Sequence, residues 1–125
     1  MTMNPTAEAK LLRLLGLGVR GRGAVVGVER VREAATKGTL VLAVVAPDVS
    51  RHSLDKVLPL LAAKRVTVVE GPSAATLGHA VGRETTAVVG VTDRNLARGI
   101  QEMLAEASLR WPASGAPDAG VGQGN

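Results

Sequence analysis

Five charged side chains flank a single glycine in the first third of the chain: Arg20, Arg22, Glu29, Arg30 and Arg32 surround Gly27. The chemistry open to such a group is recognition of an anion. Arginines attract phosphate, and a carboxylate placed among them can accept donors from a base edge, so it selects where bases alone only attract. The elements that must position these groups are a strand and a helix. Ala24, Val25 and Val26 form a short apolar run, and Val28, Val31, Ala34 and Ala35 then recur at helical spacing, so the period changes at Gly27. A strand-to-helix corner of this kind presents unpaired backbone N–H groups and the positive end of the helix dipole. Nucleic acid is the first candidate ligand.

Composition narrows the classes. The 125 residues suit one domain, expected over residues 1–111, that can bury a core without covalent staples. There is no cysteine and only two histidines, His52 and His79, so neither a disulfide framework nor a protein-built zinc site is expected, and no cofactor is called for. The apolar run Leu11 to Val19 is interrupted by Arg13 and by glycines and is too short to span a bilayer, which points to a cytoplasmic protein without a membrane partner. The net charge of +4 fits an anionic partner, and residues 10–37 carry seven bases against two acids while residues 38–93 balance five against five. Trp111 is the sole aromatic residue, so recognition by stacking bases on aromatic platforms is disfavoured and contacts to a nucleic acid must be polar.

Taken in order, Ala7, Leu11, Leu12 and Leu15 predict an amphipathic helix over residues 6–15, closed by Gly16. Gly16 to Gly21 matches the spacing G-x-G-x-x-G, but the motif needs a strand before it and a helix after it, and the context here is reversed. The stretch reads instead as a flexible Gly/Arg connector that frees Arg20 and Arg22 to reach a phosphate. Gly38 ends the basic helix, and Leu40 to Ala46 is a continuous apolar run, the pattern of a central strand covered on both faces. Ser50 or Ser53 then caps a helix with Leu54, Val57, Leu58 and Leu61 on one stripe and a kink at Pro59. Val66 to Val69 is a further strand, Ser73 caps a short helix to about Val81, and Gly78 within it suggests a close contact with the sheet. Ala87 to Val91 is the last strand, and Thr92 or Asp93 caps a final helix striped by Leu96, Ile100, Met103, Leu104 and Ala107. The Gly- and Pro-rich residues 112–125 are expected to be a disordered tail. Five helices alternating with four strands imply an α/β fold, a three-layer α/β/α sandwich on a four-stranded mixed sheet.

Catalytic machinery is not visible in the pattern, and an enzyme is not expected. Asp48, Ser50 and His52 lie close in sequence, but a serine at that place is what a helix start uses. On the basic helix, Arg30 with Glu33 and Glu29 with Arg32 can form i, i+3 pairs that would quench part of its field.

The corner Gly27-Val28-Glu29-Arg30-Val31-Arg32, the strand LVLAVVA with Pro47-Asp48-Val49, the stretch Leu58-Pro59-Leu60-Leu61, the turn Pro72-Ser73 leading to Leu77-Gly78, and Val91-Thr92-Asp93 together carry a resemblance over about residues 5–105. In these segments, their order and their spacing, the chain resembles the L-seven-Ae and L-thirty-e family of ribosomal proteins, which bind kink-turn RNA, and its bacterial homologues. The resemblance implies an α/β/α sandwich that docks a structured RNA, ribosomal or other, as part of a ribonucleoprotein. It assigns Gly27, Glu29 and Arg32 to the sheared G·A pairs of the kink-turn, with Arg in place of the family's Lys, and it places flipped-out bases against the loop at Gly71 and Pro72. Two positions depart from the pattern. Val28 stands where the kink-turn binders have Asn, and Gly71 where they have an apolar residue. The expected RNA-binding set is therefore Arg20, Arg22, Gly27, Val28, Glu29, Arg32, Gly71 and Pro72. The rival reading is a protein-interaction or assembly module on the same fold, distinguished by salt dependence, because phosphate contacts release counterions and an apolar interface does not.

Overall fold

The computed structural model describes residues 5–110, with side chains through residue 105, so the expected end of the domain at Trp111 and the expected tail lie outside the described residues. The elements are α1 (Pro5–Arg20), β1 (Ala24–Val26), α2 (Val28–Lys37), β2 (Leu42–Val45), α3 (Arg51–Ala63), β3 (Thr67–Glu70), α4 (Ala74–Ala80), β4 (Val88–Val91) and α5 (Arg94–Arg110). The strands form one mixed sheet in the order β1-β4-β2-β3. β2 pairs parallel with β3, and β4 runs antiparallel to both β1 and β2, so β1, β2 and β3 all point one way.

Strand alternation divides the core into two halves. Leu42, Val44, Val89 and Val91 face α1, α4 and α5, where they meet Leu11, Leu15, Leu77 and Ile100. Ala43, Val45 and Val88 face α2 and α3, where they meet Val31, Ala35, Val57 and Leu61. Every residue of β2 and β4 is buried, which is why both sequences lack the polar alternation of a half-exposed strand. The expected three-layer sandwich is thus present, with β2 in the interior of the sheet.

The helix boundaries follow from local chemistry. Ser50 Oγ accepts the amide of Ser53, Ser73 Oγ accepts that of Thr76, and Asp93 Oδ1 accepts that of Leu96, so α3, α4 and α5 all begin on capping side chains. Helices α1 to α4 all end in the same paired-bond closure, in which a residue in the left-handed region turns the chain out of the helix. Gly38 and Gly82 fill that position in α2 and α4 at φ 79° and 80°, but Arg22 and Arg65 fill it in α1 and α3 at φ 64° and 57°. A side chain held in that region costs ~1–2 kcal/mol relative to the right-handed well.

Two expectations are corrected. α1 does not stop at Gly16 but continues to Arg20, and the supposed connector is its last turn. Its glycines serve packing: a Cβ at Gly18 would lie 2.4 Å from Leu96 Cδ2 and 3.3 Å from Ala24 Cβ, so the bare backbone lets α1 settle onto α5 and β1. The crowding at Gly78 comes not from the sheet but from the returning chain, since a Cβ there would meet the Thr85 backbone at 2.6 Å.

Candidate nucleic-acid interface

The strand directions bring four loops to one end of the sheet. The carboxyl ends of β1, β2 and β3 and the amino end of β4 share this rim, tied together by hydrogen bonds from Gly27 N to Val88 O, Ala46 N to Ala87 O and Gly71 N to Val45 O. The Gly27 corner and the Gly71-Pro72 loop therefore lie on the same rim, three strand spacings apart, or about 14 Å.

Gly27 has φ 97° and ψ 160°, a conformation that essentially only glycine adopts. A Cβ there would have nothing within 4 Å, so the residue is required by the backbone while the space over it is open. No side chain caps α2, in contrast to α3, α4 and α5. The amides of its first turn and the positive end of its dipole thus face outward beside Glu29, whose carboxylate the dipole favours.

The site side chains have distinct surroundings. Glu29 and Arg30 are exposed, and neither has an ion-pair partner among the described residues. The expected pairs Arg30–Glu33 and Glu29–Arg32 do not form. Glu33 instead pairs one turn ahead with Lys37 at 3.4 Å, an i, i+4 arrangement in which the helix brings the two chains together with the acid on the amino-terminal side. Arg32 Nη1 donates to the backbone carbonyl of Lys56 on α3. Pro59 lies inside α3 and lacks the N–H that would reach the carbonyl of Asp55, the residue before Lys56. Val28 is half-buried and packs on the cluster between α2, α3 and the sheet.

On the other side of the rim, Asp48 Oδ1 accepts the amide of Ala74 at 2.8 Å, joining the loop after β2 to the start of α4. Asp48 and Ser50 are accordingly caps of two different helices. Gly71 is set by packing: a Cβ would lie 2.5 Å from Val44 Cγ1, so the strand's β-branched side chain takes the room that a larger residue would need.

Arg20 and Arg22 are not at this corner. They precede β1, and Gly23 at its start accepts the amides of Thr92 and Asp93 through its carbonyl, which places both arginines at the opposite rim. The five steps from Arg22 to Gly27, through strand β1, span at most about 16 Å. The idea that they crowd the corner is thereby corrected. Sequence proximity missed the residues that do share the Gly27 rim, Asp48 and Arg51, because only the parallel course of β1 and β2 brings them there.

Among the described residues, no helix is long and apolar enough to cross a membrane, and no group of three or more His, Cys, Asp or Glu is placed to hold a metal ion. Residues 9–105 match the model of the ribosomal protein L7Ae/L30e/S12e/Gadd45 family. The chain belongs to this family. Among solved structures it is similar to a protein of unknown function from Bacillus halodurans, with 31% identity, a TM-score of 0.71 and coverage of 78% of this chain and 99% of that one. It shares its fold with a 15.5 kD RNA-binding protein of Giardia lamblia, at 20% identity and a TM-score of 0.68, over 86% of this chain and 92% of that one. No curated protein sequence matches the chain significantly. Membership in the L7Ae family agrees with the resemblance carried by the corner, the central strand and the Pro72-Ser73 turn.

Proposed function

We propose that this member of the L7Ae family is a non-catalytic RNA-binding protein that docks a kink-turn-like RNA on the Gly27 rim. In this reading it works as a component of a cytoplasmic ribonucleoprotein, with the ribosome as one setting. The observation that carries the reading is the bare start of α2: an uncapped helix N-terminus under open space, with Glu29 unpaired beside it. A base edge can offer N–H donors to Glu29, and the exposed amides can take an oxygen. Arg32 reaches guanine O6 and N7 by exchanging the Lys56 carbonyl for them, and Pro72 lines the far side of the same rim.

A protein-interaction module is favoured by one feature, the packing of half-buried Val28 against the α2–α3 cluster at the position where kink-turn binders carry Asn.

Titration of wild type, Glu29→Ala, Arg32→Ala and Val28→Asn against a kink-turn, the same RNA with its G·A pairs replaced, and a plain duplex at one salt concentration separates the two. Under the RNA reading wild type prefers the kink-turn, Glu29→Ala abolishes that preference, and Arg32→Ala loses ~1–3 kcal/mol with the guanine-bearing site. No measurable binding of any of the three RNAs by wild type, with no gain from Val28→Asn, would leave the interaction-module reading standing.

A further inference from the structure

The positive charge of the molecule is concentrated away from the Gly27 rim. At the opposite rim α1 ends, α3 ends and α5 begins, and Arg20, Arg22, Lys64, Arg65, Arg94 and Arg98 are all exposed there. Lys37, at the end of α2, is spent on Glu33. The one acid among the six is Asp93, and its carboxylate is occupied as the cap of α5. None of the six bases has an ion-pair partner among the described residues.

Ordinary helix electrostatics accounts for part of this. A base at the carboxyl end of a helix complements the dipole, which explains Arg20 in the last turn of α1 and Lys64 at the C-cap of α3. It does not explain Arg94, which loads positive charge onto the first turn of α5, where the dipole opposes it. Nor does it explain Arg22 and Arg65, which hold left-handed positions where glycine serves in α2 and α4. The chain accepts unfavourable local choices at three points of one rim, and each adds an arginine.

These arginines cross the whole rim. Arg22 precedes edge strand β1, Arg94 follows β4 directly beside Gly23, and Arg65 precedes the other edge strand, β3. α5 starts beside Gly23, and its Gln101 Nε2 reaches Thr67 Oγ1 at 3.5 Å, so the helix crosses toward the start of β3 and carries Arg98 between the two. We infer that this rim is a second RNA-binding surface, one that grips the phosphate backbone of a duplex without reading sequence. Arginine suits phosphate because its planar fork donates two parallel hydrogen bonds, and a line of unpaired arginines tracks a row of phosphates. RNA is the class of ligand taken from the reading of the Gly27 rim, but the surface, the contacts and the selectivity are different. A structured RNA could be read at the corner while a flanking or separate duplex is held at the other end.

The test uses the full chain carrying Arg22→Gly, Arg65→Gly and Arg94→Gln together. The two glycines suit the left-handed positions, so the variant keeps its fold, which its melting temperature checks. Binding to a plain RNA duplex is titrated across a salt series, beside a variant with Lys at the same three positions. The expected result is a loss of roughly tenfold in duplex affinity and a salt slope flatter by about two to three charges. Lys at the three positions should keep the slope. Unchanged duplex affinity and slope in the triple variant would overturn the proposal. So would a loss confined to vesicles of anionic lipid, which would make the surface a membrane contact. The failure of the corner reading is separate: it would appear as equal binding of the kink-turn and its G·A-replaced form, whatever the triple variant does.

Discussion

At the Gly27 rim, Arg30, Arg32 and Arg51 are balanced by Glu29, Asp48 and Glu70, and one helix start is left bare; at the opposite rim six bases face one acid and every helix end is closed. A surface of balanced charge with open backbone donors can discriminate, because each group must meet a particular partner. A surface of uniform charge with a saturated backbone can only attract. The contrast shows that the positive excess of a small RNA-binding fold need not mark the place where it reads its ligand.

Substitutions can alter one rim at a time. The largest effect is expected at the corner itself. Gly27→Val forces a β-branched residue into a glycine-only conformation and should cost ~2–3 kcal/mol in urea unfolding, together with loss of kink-turn preference. A cost near zero would mean that the corner relaxes and that its geometry is not specified.

Gly71→Ala comes next, because its Cβ would collide with Val44. The expected cost is about 1–3 kcal/mol, largely recovered in the double variant with Val44→Ala, and an additive double variant would deny the contact. Asp48→Ala removes the carboxylate that joins two loops of the Gly27 rim and should cost ~1 kcal/mol, measured as a shift of the urea midpoint at unchanged slope.

The smallest effect has the opposite sign. Arg22→Gly and Arg65→Gly relieve left-handed backbone but add glycine entropy to the unfolded chain, so each should raise stability by ~0.5–1 kcal/mol. A destabilised glycine variant would show that these arginines hold the fold and are not placed for a ligand.

Much of the fold was legible in the sequence. LVLAVVA announces a strand buried on both faces, Gly27 sits where the period changes, and Ser50, Ser73 and Asp93 are the caps that their positions suggest. What was hidden depended on distance in space. A packing glycine and a loop glycine read alike, so Gly16 and Gly18 suggested a connector where the chain is helical. Arg20 and Arg22 looked close to Gly27 because a strand of three residues separates its two ends by about 10 Å while barely advancing the sequence. The choice of Lys37 by Glu33 was one of several that helical spacing allows, and the Lys56 carbonyl meets Arg32 only because α3 packs beside α2.

The central claim, that reading and gripping belong to opposite ends of the sheet, is tested most directly by mapping backbone amide shifts by NMR on titration with a kink-turn RNA and, separately, with a plain duplex. The kink-turn should perturb Gly27, Val28, Glu29, Arg30 and Gly71, and the plain duplex should perturb Arg22, Arg65 and Arg94 while leaving the Gly27 corner unmoved. Perturbation of one and the same set of amides by both RNAs would contradict the account.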